Sequence, residues 1–147
     1  MHFIGIDIGT SSICGVVYHP STQSVISVTK ENCANISSPD NWEKKQDADI
    51  IINIVWDIVR EFQTRYKDIG GIGITGQMHG IVYTDVQGKA VSPLYTWQDG
   101  RGNLRYKDNL NYATHLKNIT GYPAASGYGL VTHYYNIQNG LVPADAF

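Results

Sequence analysis

Apolar positions open the chain in short, closely spaced runs. His2–Ile8 (HFIGIDI) is β-branched and bounded by Gly9, and it reads as a buried strand. SICGVVYH, 12–19, alternates roughly, HPSTQS supplies turn chemistry, and VISVTKE, 25–31, reads as a third strand. Strands joined by such short turns predict an antiparallel meander. Residues 32–46 are polar, carry Ser38-Pro39-Asp40-Asn41 as a turn signal, and read as a loop. Asp47 is a helix N-cap, after which Ile51, Ile54, Val55, Ile58 and Phe62 fall at helical spacing, with Asp57, Glu61 and Arg65 off the stripe. The pattern predicts a helix from Ala48 to Tyr66, ended by Gly70-Gly71. IGIT, 72–75, reads as another buried strand, and a helix between strands predicts a right-handed crossover to a parallel neighbour. Residues 81–93 read as a strand and turn with Gly88 in the turn, and 94–97 as extended. Helical pieces are expected near 103–111, 113–118 and 128–138. This order suits an α/β fold, an open mixed sheet with flanking helices. The ribonuclease-H-like layout is one such sheet.

Composition narrows the partners. At 147 residues, 42% hydrophobic and 16% charged, the chain fits one domain with a real core. A net charge of −2 gives no pull towards nucleic acid or anionic membrane. No apolar stretch approaches a membrane span, and Met1-His2 leads straight into a strand rather than a signal peptide. Cys14 and Cys33 form no metal-ligand spacing and no disulfide framework, so a cytoplasmic setting is expected.

Three stretches carry candidate chemistry. In FIGIDIGTSS, Asp7 ends an apolar run and meets Gly9, Thr10, Ser11 and Ser12. Small residues let backbone N–H groups approach phosphate oxygens. A carboxylate beside them cannot bind phosphate, but it can hold magnesium or a water on the metal. The plainer alternative is a tight hairpin in which Asp7 accepts hydrogen bonds from turn amides. In GITGQMHG, 73–80, Gln77 and His79 share a face if the strand continues, and they offer the mixed donors and acceptors a sugar needs. Against that, a lone His79 is more often structural, and Met78 alone would be core. In TWQDGR, 96–101, Trp97 can stack on a sugar while Asp99 and Arg101 fix hydroxyls; the alternative is an Asp-Gly turn with a core Trp and a surface Arg.

Taken in order, GIDIGTSS, GITGQMHG and TWQDGR resemble the amino-terminal domain of the FGGY carbohydrate kinases, especially the xylulokinases and sedoheptulokinases. WEKKQDAD, 42–49, also resembles that family, and TGYPAASGYGLVTHYYN, 120–136, is a looser match, so the likeness covers nearly the whole chain. The resemblance implies an actin-like ATPase fold and transfer of the ATP γ-phosphoryl group to a ketose hydroxyl with magnesium. It implies Asp7 at the metal and Gly9, Thr10, Ser11 and Ser12 along the phosphates. Gln77, Met78, His79 and Trp97 would line the sugar pocket, with Asp99 and Arg101 near the sugar or buttressing it. Two departures follow from the same comparison. Cys14 stands where the family commonly carries Lys or Arg, and the catalytic base is expected beyond residue 147, in a second, carboxy-terminal domain outside this chain. Residues 1–147 are thus expected to be an incomplete, inactive portion of a kinase. The alternatives are a non-catalytic sugar-binding module from the same family, or a nuclease on the same sheet drawing on Asp7 with Asp47, Asp49, Asp57 or Asp85.

Overall fold

The computed structural model describes all residues from Met1 to Phe147. Along the chain lie β1 (His2–Ile8), β2 (Ser12–His19), β3 (Ser24–Glu31), β4 (Asn35–Ile36), β5 (Lys45–Gln46), α1 (Ala48–Arg65), β6 (Ile69–Gly76), β7 (Leu94–Tyr95), a 3-10 turn (Arg101–Asn103), α2 (Tyr112–Thr120) and α3 (Gly129–Gln138). The chain divides into two compact units. One comprises residues 1–34 and 49–77; the other comprises residues 35–48 and 78–147.

In the first unit the meander forms as expected. The sheet order is β3-β2-β1-β6, with β1 antiparallel to β2 and parallel to β6. Register places Ile4 opposite Val17 and Ile6 opposite Gly15, so one face gathers Ile4, Ile6, Ile13 and Val17, all at most 3% exposed. Helix α1 supplies Ile58, Val59 and Phe62 to the core. A Cβ at Gly15 would run into the side chains of Ile58 and Phe62, so the glycine lets the helix press onto the sheet. Burying each such side chain stabilises by roughly 1.5–3 kcal/mol.

Two strands differ from expectation. β1 is half-buried: Phe3 is 40% exposed on the face away from Ile4 and Ile6, and Asp7 shares that open face. The charge inside the apolar run is therefore not buried. β6 is longer than predicted and is an edge strand, paired only with β1, with Ile72 and Ile74 well exposed. A short apolar run does not reveal how many neighbours its strand has.

In the second unit the expected loop 32–46 contains pairing at both ends. β4 pairs with β5, and β5 pairs with β7, all antiparallel. Gln46 is fully buried in this ladder, its side-chain amide donating to Asn35 Oδ1 at 3.1 Å. Residues 81–95 fold back on themselves through bridges Ile81–Tyr95 and Thr84–Ala90, with Gly88 at φ +80 in the turn. Helix α2 is capped by Asn111, whose Oδ1 accepts from the Thr114 amide at 2.7 Å, and ends at Gly121 with φ +73. Ala113, Leu116 of α2 and Val131 of α3 form its core with Ala124 and Tyr134. The expected helix at 103–111 is absent beyond the short turn at Arg101–Asn103. Asp108 and Asn109 adopt φ +52 and +60, and Arg105 bridges Asn111 instead.

Candidate functional site

The first candidate region is the β1–β2 turn. The Gly9 amide donates to the Ser12 carbonyl at 2.9 Å, closing the turn around Thr10 and Ser11. A Cβ on Gly9 would lie 2.7 Å from that carbonyl, so only glycine fits. Buried Asn32 clamps the turn from outside: its amide donates to the Ser11 carbonyl and its side chain to the Gly9 carbonyl, both at 2.9 Å. Asp7 sits opposite Cys14 across β2 and opposite Thr75 across β6. Its carboxylate takes no hydrogen bond from the turn; the Gly9 and Asn32 amides are committed to carbonyls. β1 and β2 do close as a tight hairpin, but without the turn-amide bonds to Asp7 that the plainer alternative expects. No group of three or more His, Cys, Asp or Glu side chains gathers as a metal site, which disfavours the nuclease alternative and its several clustered acids.

Gln77 belongs to this turn. Its amide donates to the Ile8 carbonyl at 2.9 Å, and its Oε1 accepts from the Thr10 hydroxyl at 3.2 Å. The expectation that Gln77 and His79 share a strand face fails, because β6 stops at Gly76 and His79 turns to φ +67.

The second region lies in residues 78–80, 96–101 and 126–129. Met78 is 71% exposed, Trp97 is 48% exposed, and His79 is exposed too. The segments bearing them are pressed together. A Cβ at Gly80 would meet the Tyr95 carbonyl at 2.8 Å, and one at Gly129 would meet the Gly80 carbonyl at 3.1 Å. Gly127, at φ +86, leaves no room for a Cβ beside the Trp97 carbonyl. Tyr128 brings its ring parallel to that of His79, with centroids 4.3 Å apart. Tyr128 was not singled out from sequence, although the loose match over 120–136 contains it.

Asp99 and Arg101 are placed beneath this surface, each only 1% exposed. Arg101 grips Asp99 through two bonds, Nε to Oδ1 at 2.7 Å and Nη2 to Oδ2 at 3.2 Å. It also donates from Nη1 to Asn136 at 2.6 Å and approaches Glu43 at 3.4 Å. Its guanidinium lies over the ring of Tyr95, 4.2 Å from the centroid. Asp99 in turn accepts from the Lys44 amide at 3.1 Å and the Arg101 amide at 3.1 Å. Asn136 passes the chain on to the Tyr83 hydroxyl at 3.2 Å, which meets His133 Nδ1 at 2.9 Å. Burial pushes the Tyr83 hydroxyl above its usual range, against the lowering hydrogen bond from Asn136. The polar atoms of Asp99 and Arg101 are thus occupied by protein partners, an arrangement that suits the buttress among the two expected roles and leaves little for a sugar hydroxyl. Asn136 and Tyr95 carry no motif signal of their own and emerge only from the folded contacts.

A family model described as the FGGY family of carbohydrate kinases, N-terminal domain, matches residues 2–133. The chain belongs to this family. It is 30% identical over 109 residues to the xylulose kinase of Staphylococcus xylosus, covering 73% of this chain and 22% of that protein. It is 29% identical over 162 residues to the sedoheptulokinase of Mus musculus, covering 92% of this chain and 33% of that one. The FGGY chain thus spans less than two thirds of the length of these relatives. A xyloylose kinase from Brucella ovis matches 95% of the chain, and 30% of its own, with a TM-score of 0.77 at 23% identity. A glycerol kinase from Plasmodium falciparum, solved with ADP, matches 94% of the chain and 29% of its own, with a TM-score of 0.69 at 18% identity. These likenesses show the fold, the actin-like ATPase fold with its mixed sheet and flanking helices.

Proposed function

We propose that this FGGY chain is the amino-terminal portion of an ATP-dependent sugar kinase that transfers the γ-phosphoryl group to a hydroxyl of a ketose such as xylulose or sedoheptulose. The observation that carries the reading is Asp7: exposed, taking no hydrogen bond from the adjacent turn, and beside a bend where only glycine fits. Magnesium is commonly held by one or two carboxylates together with phosphate oxygens and water, so this donor set fits it. When bound, the metal neutralises charge on the transferring phosphoryl group. Asp7 holds it, Gly9, Thr10, Ser11 and Ser12 line the phosphates, and Gln77 ties the turn to the end of β6. In the second unit Met78, His79 and Trp97 present the sugar-facing wall, and Arg101 with Asp99 keeps that wall's footing rigid. The catalytic base and the remainder of the nucleotide pocket belong to a carboxy-terminal domain, so residues 1–147 alone are inactive. The setting is cytoplasmic, with no nucleic-acid partner; no helix is long and apolar enough to cross a membrane.

The test is coupled ADP release by the chain joined to its carboxy-terminal domain, with D-xylulose, D-ribulose and sedoheptulose as acceptors. Turnover on at least one is expected, and Asp7→Asn lowers it by about 10²–10³-fold. Silence on every sugar would remove the reading. Cys14 favours a second reading, a sugar-binding module without phosphoryl transfer. It stands directly across from Asp7, accepting from the Thr29 hydroxyl at 3.6 Å, where a cation would aid phosphate. Calorimetric ketose binding by a full-length protein that releases no ADP would establish that alternative.

A further inference from the structure

His79 does not hold itself in place. Its backbone is at φ +67, a conformation that L residues adopt at a conformational cost, and its ring is exposed. What covers the imidazole is Tyr128, whose ring lies 4.3 Å away and 9° from parallel. Such stacking leaves the ring edge, with both nitrogens, as the polar surface.

Tyr128 is itself fixed by main chain. Its amide donates to the Ala125 carbonyl at 3.1 Å, and its carbonyl accepts from the Val131 and Thr132 amides at 2.9 and 3.0 Å, where α3 begins. On either side, Gly127 is backed against the Trp97 carbonyl and Gly129 against the carbonyls of His79 and Gly80. Displacing Tyr128 therefore means displacing the start of α3.

From this geometry we infer that Tyr128 is a positioning residue for His79: its ring locks one face of the imidazole, so that the nitrogen-bearing edge is directed at a ketose hydroxyl. The inference rests on the sugar-kinase reading for its ligand, but not for its geometry. The ring does the positioning, and the phenolic hydroxyl takes no part.

Two measurements test it. In NMR spectra of residues 1–147, the His79 ring protons are expected upfield of free-histidine values, because they lie over the Tyr128 ring. Tyr128→Phe keeps that shift. Tyr128→Leu abolishes it while the amide resonances of α2 stay in place. A wild-type His79 at free-histidine shifts overturns the proposal whether or not the protein is a kinase. In the chain joined to its carboxy-terminal domain, Tyr128→Leu raises the KM for ketose roughly two- to tenfold, the range a lost stacking contact allows, with the KM for ATP and the thermal midpoint unchanged. Tyr128→Phe restores the wild-type value. A ketose KM unmoved by Tyr128→Leu, in a wild type that turns over, overturns the positioning role and leaves the kinase reading standing. A wild type that turns over no sugar sinks the kinase reading, and the ring-proton shifts still decide the placement of His79.

Discussion

Asp7 and Asp99 are both carboxylates in short motifs that carry the family resemblance, and the fold treats them in opposite ways. Asp7 ends a strand on the open face of its sheet and takes no hydrogen bond from the turn beside it. Asp99 is sealed in the second unit, gripped by Arg101 and by two backbone amides. Removing a charge from water is repaid only by full pairing, so a saturated carboxylate is committed to architecture. A carboxylate left to solvent has its lone pairs in hand for a ligand. Residue type does not separate the two; partner count does.

The contrast can be broken most forcefully at Arg101. Arg101→Met leaves Asp99 charged and buried without its main partner, and it is expected to cost about 3–5 kcal/mol in urea unfolding. A loss below about 1 kcal/mol would mean that the buried cluster is not the brace described. Next in size is Gly15→Ala, which drives a methyl into Ile58 and Phe62 and should cost about 1–3 kcal/mol in the same assay.

A smaller effect is expected from pH. Burial pushes the Glu43 carboxyl up, but hydrogen bonds from Lys45 and Ser38 and the charges of Lys45 and Arg101 outweigh it and hold the group below 4.5. The unfolded chain then binds the proton more readily. Glu43's contribution is complete above about pH 4.5 and is lost as pH falls through its lower folded value. The urea midpoint should therefore decline on acidification below that pH, and Glu43→Gln should remove that part of the slope. The smallest stability change belongs to Asp7→Asn, within about 0.5 kcal/mol of wild type, as for a surface site. Paired with the large loss of turnover expected of the same variant, that result sharpens the contrast with Arg101. A destabilisation as large as that of Arg101→Met would erase it.

Much of the first unit was legible because its signals are local. A short β-branched run ended by Gly9 gives β1, rough alternation gives β2, and turn residues set off β3. Ile51, Ile58 and Phe62 at helical spacing give α1, though Val59 joins the core in place of Ile54 and Val55, which are only half-buried. The exposure of β6 was hidden, because the number of neighbours a strand acquires is a tertiary fact. The second unit was read less well. β4, β5 and β7 are two residues each, too short for any period to show, and residues 104–110 have enough helix formers to mislead while Asp108 and Asn109 break the pattern. For the site, the motifs named the residues but not how the fold would bury some of them and expose others. Arg101 resembles a surface ligand in sequence, because its partner Asn136 lies far along the chain and its cover, Tyr95 and Trp42, comes from separate segments.

The excursion of residues 35–48 out of the first sheet has a consequence for synthesis. As the chain leaves the ribosome, β4 and β5 are made before α1 and β6, yet the strand that completes their ladder, β7, comes after both. The early sheet can close while its own inserted segment still waits for a mate. Gln46, buried at the end, passes through a stage in which its neighbour across the ladder, Leu94, is not yet made. Nascent chains halted once Gly76 has emerged from the ribosome should accordingly protect β1, β2 and α1 from protease, while 35–46 stays open to cleavage until Tyr95 has emerged too.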